Sequence, residues 1–204
     1  MTGFEPFGNS SMNPSAEVIR NFPANLFDKH QLRLEILPVV SKNAGETIVG
    51  LIEETKPQIV IMLGEAGQTP AISVEKVAIN WLDFRIADNS GEQIQDQPII
   101  KTGRNAYFST LPVRAIVDKM NLTGIPAKIS YSAGTYICNQ VFYLAMHTSL
   151  KQTVFPKCGF IHLPSLPEQV VEKKQLTPSM SLETSIKAVI TALQTTIELY
   201  EFTR

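Results

Sequence analysis

The sequence predicts an α/β protein. It is read as a single domain over residues 1–204, a three-layer α/β/α sandwich around a twisted, mostly parallel (mixed) sheet. Three observations lead there. Short runs rich in Ile, Val and Leu alternate along the chain with segments of helical periodicity. The strand runs are apolar nearly throughout, the pattern of strands covered on both faces. The chain has 204 residues, 44% of them hydrophobic and 18% charged, which suits one ordinary globular core. A chain of that size buries about 70% of the surface it exposes when unfolded.

The elements follow in order. Residues 34–40 and 59–63 read as buried strands. Between them, 44–54 places Ile48, Leu51 and Ile52 on one helical face, and Lys56-Pro57 closes the helix. Residues 71–80 alternate well enough to form one strand. A helix is predicted over 111–120, a turn at Gly124-Ile125-Pro126, and a strand over 127–131. Residues 141–146 then read as a helix, with Cys138 at the junction before it and His147 at its end, and 158–163 is another buried strand. The last helix carries the stripe Leu182, Ile186, Val189, Leu193 and Ile197, and starts after Pro178 and its neighbouring serines.

Composition narrows the function. A net charge of -1 with no basic stripe gives no nucleic-acid partner, and the absence of a polybasic run or a bilayer-length apolar stretch gives no membrane partner. Two cysteines make no disulfide framework, and residues 1–20 lack the basic start and apolar run of a secretory leader. A reducing, cytoplasmic setting and a small or neutral partner are expected. No metal or other cofactor is expected. The zinc-peptidase pattern His-Glu-X-X-His, the dinucleotide fingerprint and the phosphate loop are all absent from the sequence.

One cysteine sits where chemistry is done. In Ser132-Ala133-Gly134-Thr135-Tyr136-Ile137-Cys138-Asn139, a strand gives way to a helix through small residues. The first turn of a helix has unpaired N–H groups and a positive dipole end, which favour a thiolate and can hold an oxyanion. A free cysteine is also commonly a small buried hydrophobe, and Cys158, inside an apolar strand, fits that description. Of the three histidines, His30 lies in a polar stretch. His147 is about 13 Å of helix from Cys138. His162 ends an apolar strand and opens into a loop, so it is the natural base for a thiol at a neighbouring strand end. A third group should orient the imidazole. Glu75 stands out by interrupting an apolar strand, but with 19 acids in the chain the chemistry alone does not choose it.

The chain resembles the pyrrolidone-carboxylate peptidases, or type I pyroglutamyl peptidases, through five blocks in order. These are TGFEPFG with NPS (2–8, 13–15), GEAG with EKVAIN (64–67, 75–80), DFRIADNSG (83–91), SAGTYICN (132–139) and GFIHLPSLPEQ (159–169). The resemblance implies a Cys-His-Glu triad of Cys138, His162 and Glu75, and it is the resemblance that selects Glu75. It implies hydrolysis of the bond after an N-terminal pyroglutamyl residue through a thioester. It implies that Arg85 supports the oxyanion or the electrostatics of the site. Phe4, Phe7, Ile86, Tyr136 and Ile137 correspond to pocket positions. Glu65 stands where the family usually has Gln. A carboxylate can accept from the lactam N–H but cannot donate to the lactam oxygen unless protonated. Gln68-Thr69 replaces a Gly-Arg pair. Only Met1 precedes TGF where the family has several apolar strand residues, so either this sequence starts late or the first strand is truncated.

Family members commonly form homo-oligomers, so a dimer or tetramer is expected, with Phe84, Phe108 and Phe155 as apolar loop residues available for contact. Glu65 keeps open a cysteine amidase acting on another cyclic or acylated substrate. A non-catalytic binding protein on this scaffold would not need the complete triad. A redox-sensing thiol would need a resolving partner, for which a core-strand Cys158 is poorly placed.

Overall fold

The protein is described by a computed structural model covering residues 1–8, 10–171, 173 and 175–201. Six strands form one mixed sheet in the order β2-β1-β3-β8-β4-β7. They are β1 (Thr2–Phe4), β2 (Glu35–Leu37), β3 (Ile59–Glu65), β4 (Ile72–Glu75), β7 (Ala127–Ser130) and β8 (Lys157–Leu163). Every neighbouring pair is parallel except β4 and β8. That one antiparallel joint makes the sheet mixed and brings the end of β4 alongside the end region of β8.

Helices cover both faces, as the apolar strands require. On one side lie α1 (Pro14–Arg20), α3 (Val113–Leu122) and α6 (Leu182–Glu201), packed on Ile61, Leu63, Ile72, Val74, Ile161 and Leu163. On the other lie α2 (Ser41–Thr55) and α4 (Ile137–Ser149), packed on Phe4, Val60, Met62 and Phe160. Successive residues of a strand point to opposite faces. Ser73, Glu75, Phe160 and His162 therefore share the α2/α4 face, while their neighbours Val74 and Ile161 fill the opposite core. The one-turn α5 (Pro167–Val170) follows β8. No helix among the described residues is long and apolar enough to cross a membrane.

Several sequence expectations need revision. The single strand over 71–80 is two strands in two sheets. β4 ends at Glu75, and β5 (Val77–Ile79) pairs antiparallel with β6 (Ala106–Phe108) in a separate two-stranded sheet. The switch occurs at Lys76, whose N–H donates to Ser130 O while its carbonyl accepts from Ser109 N. Alternation of side chains persists through such a change of partner, so periodicity alone does not reveal it. The strand over 34–40 shortens to three residues, and the helix over 111–120 begins after Pro112.

Helix α1 escaped the periodicity argument but carries a clear start signal. Asn13 accepts from Ser15 N at 3.0 Å and Pro14 occupies the first turn. Phe84 is not an exposed loop residue: it is 1% exposed and meets Tyr136 edge-on at 4.6 Å. Phe108 and Phe155 are exposed.

The first strand is short, yet it sits inside the sheet between β2 and β3. Phe4 N donates to Ser15 Oγ at 2.8 Å and Glu5 N to Leu37 O at 3.0 Å, so its last donors are met. Gly3 lies so close to α1 that a Cβ there would come within 2.5 Å of Ser15 O. Only glycine allows that approach, and the approach places Phe4 beneath the site.

Candidate active site

The site assembles where β3, β4 and β8 end and α4 begins. Ser73 pairs with His162 across the antiparallel joint. Glu75, two residues on, is therefore on the same face and diagonal to the imidazole. Glu75 Oε1 lies 2.8 Å from His162 Nδ1. Both are buried, Glu75 at 1% exposure and His162 at 8%. Glu75 Oε2 has no hydrogen-bond partner among the described residues, so the imidazole N–H is the main group holding this carboxylate. With Nδ1 engaged, Nε2 is left for the thiol, and Cys138 lines the same cavity as His162.

Cys138 is the second residue of α4, half-buried. The first intrahelical bond of that helix runs from Gln140 N to Tyr136 O. The N–H groups of Ile137, Cys138 and Asn139 have no acceptor among the described residues. They are the orphan donors of a helix start, beside the sulfur. Burial by itself lowers the His162 pKa. The neighbouring Cys138 sulfur and Glu75 carboxylate outweigh it and raise the pKa to about 9. An imidazolium is thus stable at neutral pH when a thiolate and a carboxylate flank it.

Two residues that sequence reasoning passed over seat the thiol. Gly64 stands in register with His162 on β3. A Cβ at this glycine would lie 2.9 Å from Cys138 Sγ and 2.8 Å from Phe160 Cζ. The space taken by the sulfur is the space of the missing side chain. The available signal was a glycine inside an apolar strand, which marks close approach. Asn139 is fully buried; its Oδ1 accepts from Ile79 N at 2.9 Å and its Nδ2 donates to Ile79 O at 2.9 Å and Trp81 O at 3.0 Å. It fixes the first turn of α4, and hence Cys138, to β5.

A cavity of about 410 Å³ opens over the sulfur, a size suited to a small ligand. Phe4, Phe7, Glu65, Arg85, Ile86, Tyr136, Ile137, Cys138 and His162 all line it, together with Asn13 and Asp83. The sequence-predicted pocket residues are therefore brought together. Phe4 and Ile137 also belong to the core, and Phe7 and Tyr136 face each other with ring centroids 6.4 Å apart. Arg85 stands between buried Phe84 and half-buried Ile86. It is exposed at the rim, without a hydrogen bond or ion pair among the described residues. The chain turns Phe84 inward and its neighbour outward.

The other candidates fall away from the site. His147 lies beside Tyr107, Nδ1 to hydroxyl 2.8 Å, with its pKa lowered by burial and by nearby Lys151. His30 is exposed. Cys158 is fully buried, and burial pushes its thiol up to about 12. No cluster of His, Cys, Asp and Glu suited to a metal occurs among the described residues.

Comparison with known proteins gives one consistent picture. The pyroglutamyl peptidase family model matches residues 1–199. The pyrrolidone-carboxylate peptidase of Treponema denticola is 44% identical over 97% of this chain and 92% of its own length. That of Pyrococcus furiosus is 42% identical over 97% of each chain. Among solved structures, the pyrrolidone carboxyl peptidase of Thermococcus litoralis superposes with a TM-score of 0.90 at 43% identity, covering 100% of this chain and 94% of that one. A mutant enzyme from Pyrococcus furiosus gives 0.91 at 40% identity, over 98% and 97%. A match along nearly the whole chain in sequence and in fold places this chain in the pyroglutamyl peptidase family of cysteine peptidases.

Proposed function

We propose that this protein removes pyroglutamate from peptide N-termini, with Cys138 as nucleophile, His162 as acid and base, and Glu75 as the group orienting the imidazole. The observation that carries the assignment is the meeting of Glu75, His162 and Cys138 at the cavity. Glu75 Oε1 is 2.8 Å from His162 Nδ1, and His162 shares the cavity wall with Cys138 at a helix start.

The sulfur, its proton held by His162, attacks the carbonyl joining the pyroglutamyl group to the next residue. The free N–H groups of the first turn of α4 receive the oxyanion. His162 gives its proton to the departing amine, leaving a thioester. Water, deprotonated by His162, then attacks the thioester, pyroglutamate departs and the sulfur is restored. Glu75 stabilises the charged imidazole throughout. Phe4, Phe7, Ile86, Tyr136 and Ile137 form the walls for a neutral lactam ring, and Glu65 accepts from its N–H. Arg85, exposed at the rim, supplies electrostatic support for the developing negative charge.

The same reading takes the chain as one domain working in a reducing cytoplasm, where a catalytic thiol stays reduced. It also assigns assembly as a homo-oligomer, supported by exposed apolar groups such as Phe108, Leu122 and Tyr131. Release of a fluorescent amine from a pyroglutamyl amide, with wild type and Cys138→Ser run side by side, tests the core of the proposal. Turnover by the wild type and none by the variant is expected. A folded wild type that leaves the amide intact would sink it.

A further inference from the structure

The block that contributes His162 ends in Gln169, a residue without a part in the chemistry above. Gln169 does not line the cavity. Its side chain nevertheless joins three segments that shape it. Gln169 Oε1 accepts from Leu166 N at 2.7 Å, while its own N–H donates to Leu166 O at 3.0 Å, closing the turn of α5. That contact fixes which end of the amide is which. The NH₂ group must face the other way, toward Glu65 Oε1 at 3.1 Å and Oε2 at 3.2 Å, Ser10 Oγ at 3.2 Å and Met12 O at 3.3 Å. One hydrogen serves the carboxylate at the end of β3. The other serves segment 10–12, which runs between two cavity-lining residues, Phe7 and Asn13.

Glu65 needs such help. It lies in a mostly apolar cavity with no cation partner among the described residues. Its donors are neutral: Gln169, and Ser165 Oγ at 2.8 Å. A carboxylate held only by neutral donors keeps its direction through those hydrogen bonds, each stronger than one between neutral groups. Ser10 Oγ donates to Met12 O at 2.7 Å and accepts from Met12 N at 3.4 Å, which leaves one lone pair for Gln169.

We infer that Gln169 is a positioning residue for the substrate ring: its amide aims the Glu65 carboxylate and braces the loop carrying Phe7, and so sets how tightly the ring is held rather than how fast the bond breaks. This rests on the pyroglutamyl reading above. Glutamine is the residue the position demands. Glutamate would lose both donated bonds and set a second carboxylate against Glu65, and leucine would remove all of the polar links.

The test measures kcat and KM for a pyroglutamyl amide in the wild type, Gln169→Leu, Gln169→Glu and the exchange Glu65→Gln with Gln169→Glu. It also measures the rate of Cys138 alkylation by iodoacetamide, with and without 2-pyrrolidone as a protecting lactam. Loss of a hydrogen bond to a charged group should raise KM about tenfold in Gln169→Leu, and further in Gln169→Glu. Little change in kcat is expected, nor in alkylation without ligand. Protection by 2-pyrrolidone should weaken in parallel. The exchange, which restores an amide facing a carboxylate, should recover part of the KM.

An unchanged KM in Gln169→Leu overturns the inference while leaving the pyroglutamyl reading intact. A fall in kcat with slowed alkylation at constant KM also overturns it, since the damage would then lie at the thiol. A wild type that neither turns over nor is protected by 2-pyrrolidone removes the pyroglutamyl reading and the inference together. Should the leucine variant fail to fold, Gln169→Asn keeps the amide but withdraws it by one methylene, and the same KM shift decides.

Discussion

The two ends of strand β8 make an instructive contrast. At its start lies Cys158, fully buried, with Thr110 Oγ1 bonded to its backbone N at 2.7 Å. Burial pushes that thiol up to about 12, and the nearby Ser149 hydroxyl offsets only part of the effect. At the other end lies His162, which faces the second thiol, Cys138, at the beginning of a helix. The side chains are chemically identical. One is enclosed by core atoms with no charged partner, the other meets an imidazole, free backbone donors and a cavity. Reactivity follows from those neighbours and not from the residue type.

Exchanging each thiol for a hydroxyl should break the contrast most visibly. Cys138→Ser is expected to cost roughly 10⁴-fold or more in kcat, the scale seen when a nucleophile is removed from a catalytic set. Cys158→Ser should leave kcat close to the wild-type value and lower the melting temperature instead.

The support of the imidazole comes next. Glu75→Gln should reduce kcat by about 10⁴-fold, the scale for loss of the carboxylate that orients a catalytic histidine. It also changes the pH dependence of stability. The folded pKa of His162, about 9, stands above the unfolded value near 6.5. Its contribution is therefore full below about pH 6.5 and is lost as pH rises through about 9. Glu75→Gln removes one of the groups raising that pKa, so the loss should be complete at a lower pH. Urea midpoints measured from pH 6 to 10 in both proteins check the shift, and coincident profiles would contradict it.

Gly64→Ala sharpens the contrast at the productive end. The added methyl would stand 2.9 Å from Cys138 Sγ. Displacing the sulfur by a fraction of an ångström to 1 Å should cost about 10²-fold in kcat/KM. Slower alkylation of Cys138 should accompany it. The smallest effect is expected at the inert end: Cys158→Ala should cost about 1 kcal/mol of stability for the small cavity left in the core, with unchanged turnover of a pyroglutamyl amide.

Much of the fold was legible because the strands are apolar on both faces and the helices carry a single stripe. The strands over 59–63 and 158–163 and the helix stripe from Leu182 to Ile197 follow directly from burial. The break at Lys76 was not legible, since a strand that changes partners keeps its alternation. Helix α1 was missed because it has only seven residues, too few for a period to stand out, although its cap was present. At the site, Cys138 and His162 could be shortlisted from their places at element ends. Glu75 needed the family blocks, because an acid that interrupts an apolar strand is noticeable but is not thereby tied to the imidazole. Gly64 and Asn139 act through contacts with residues distant in sequence, so no local pattern announces them.

The sequence by itself determined the class of fold and the place of Cys138 at a helix start. These depend on local periodicity, capping and residue chemistry, which a chain carries in linear order. Only the tertiary structure decided how Glu75 reaches His162, why position 64 has no side chain and how Gln169 reaches Glu65. Those outcomes depend on strand register and on the single antiparallel joint between β4 and β8. That joint brings Glu75 within 2.8 Å of a histidine 87 residues away, a coincidence in space that linear order does not contain.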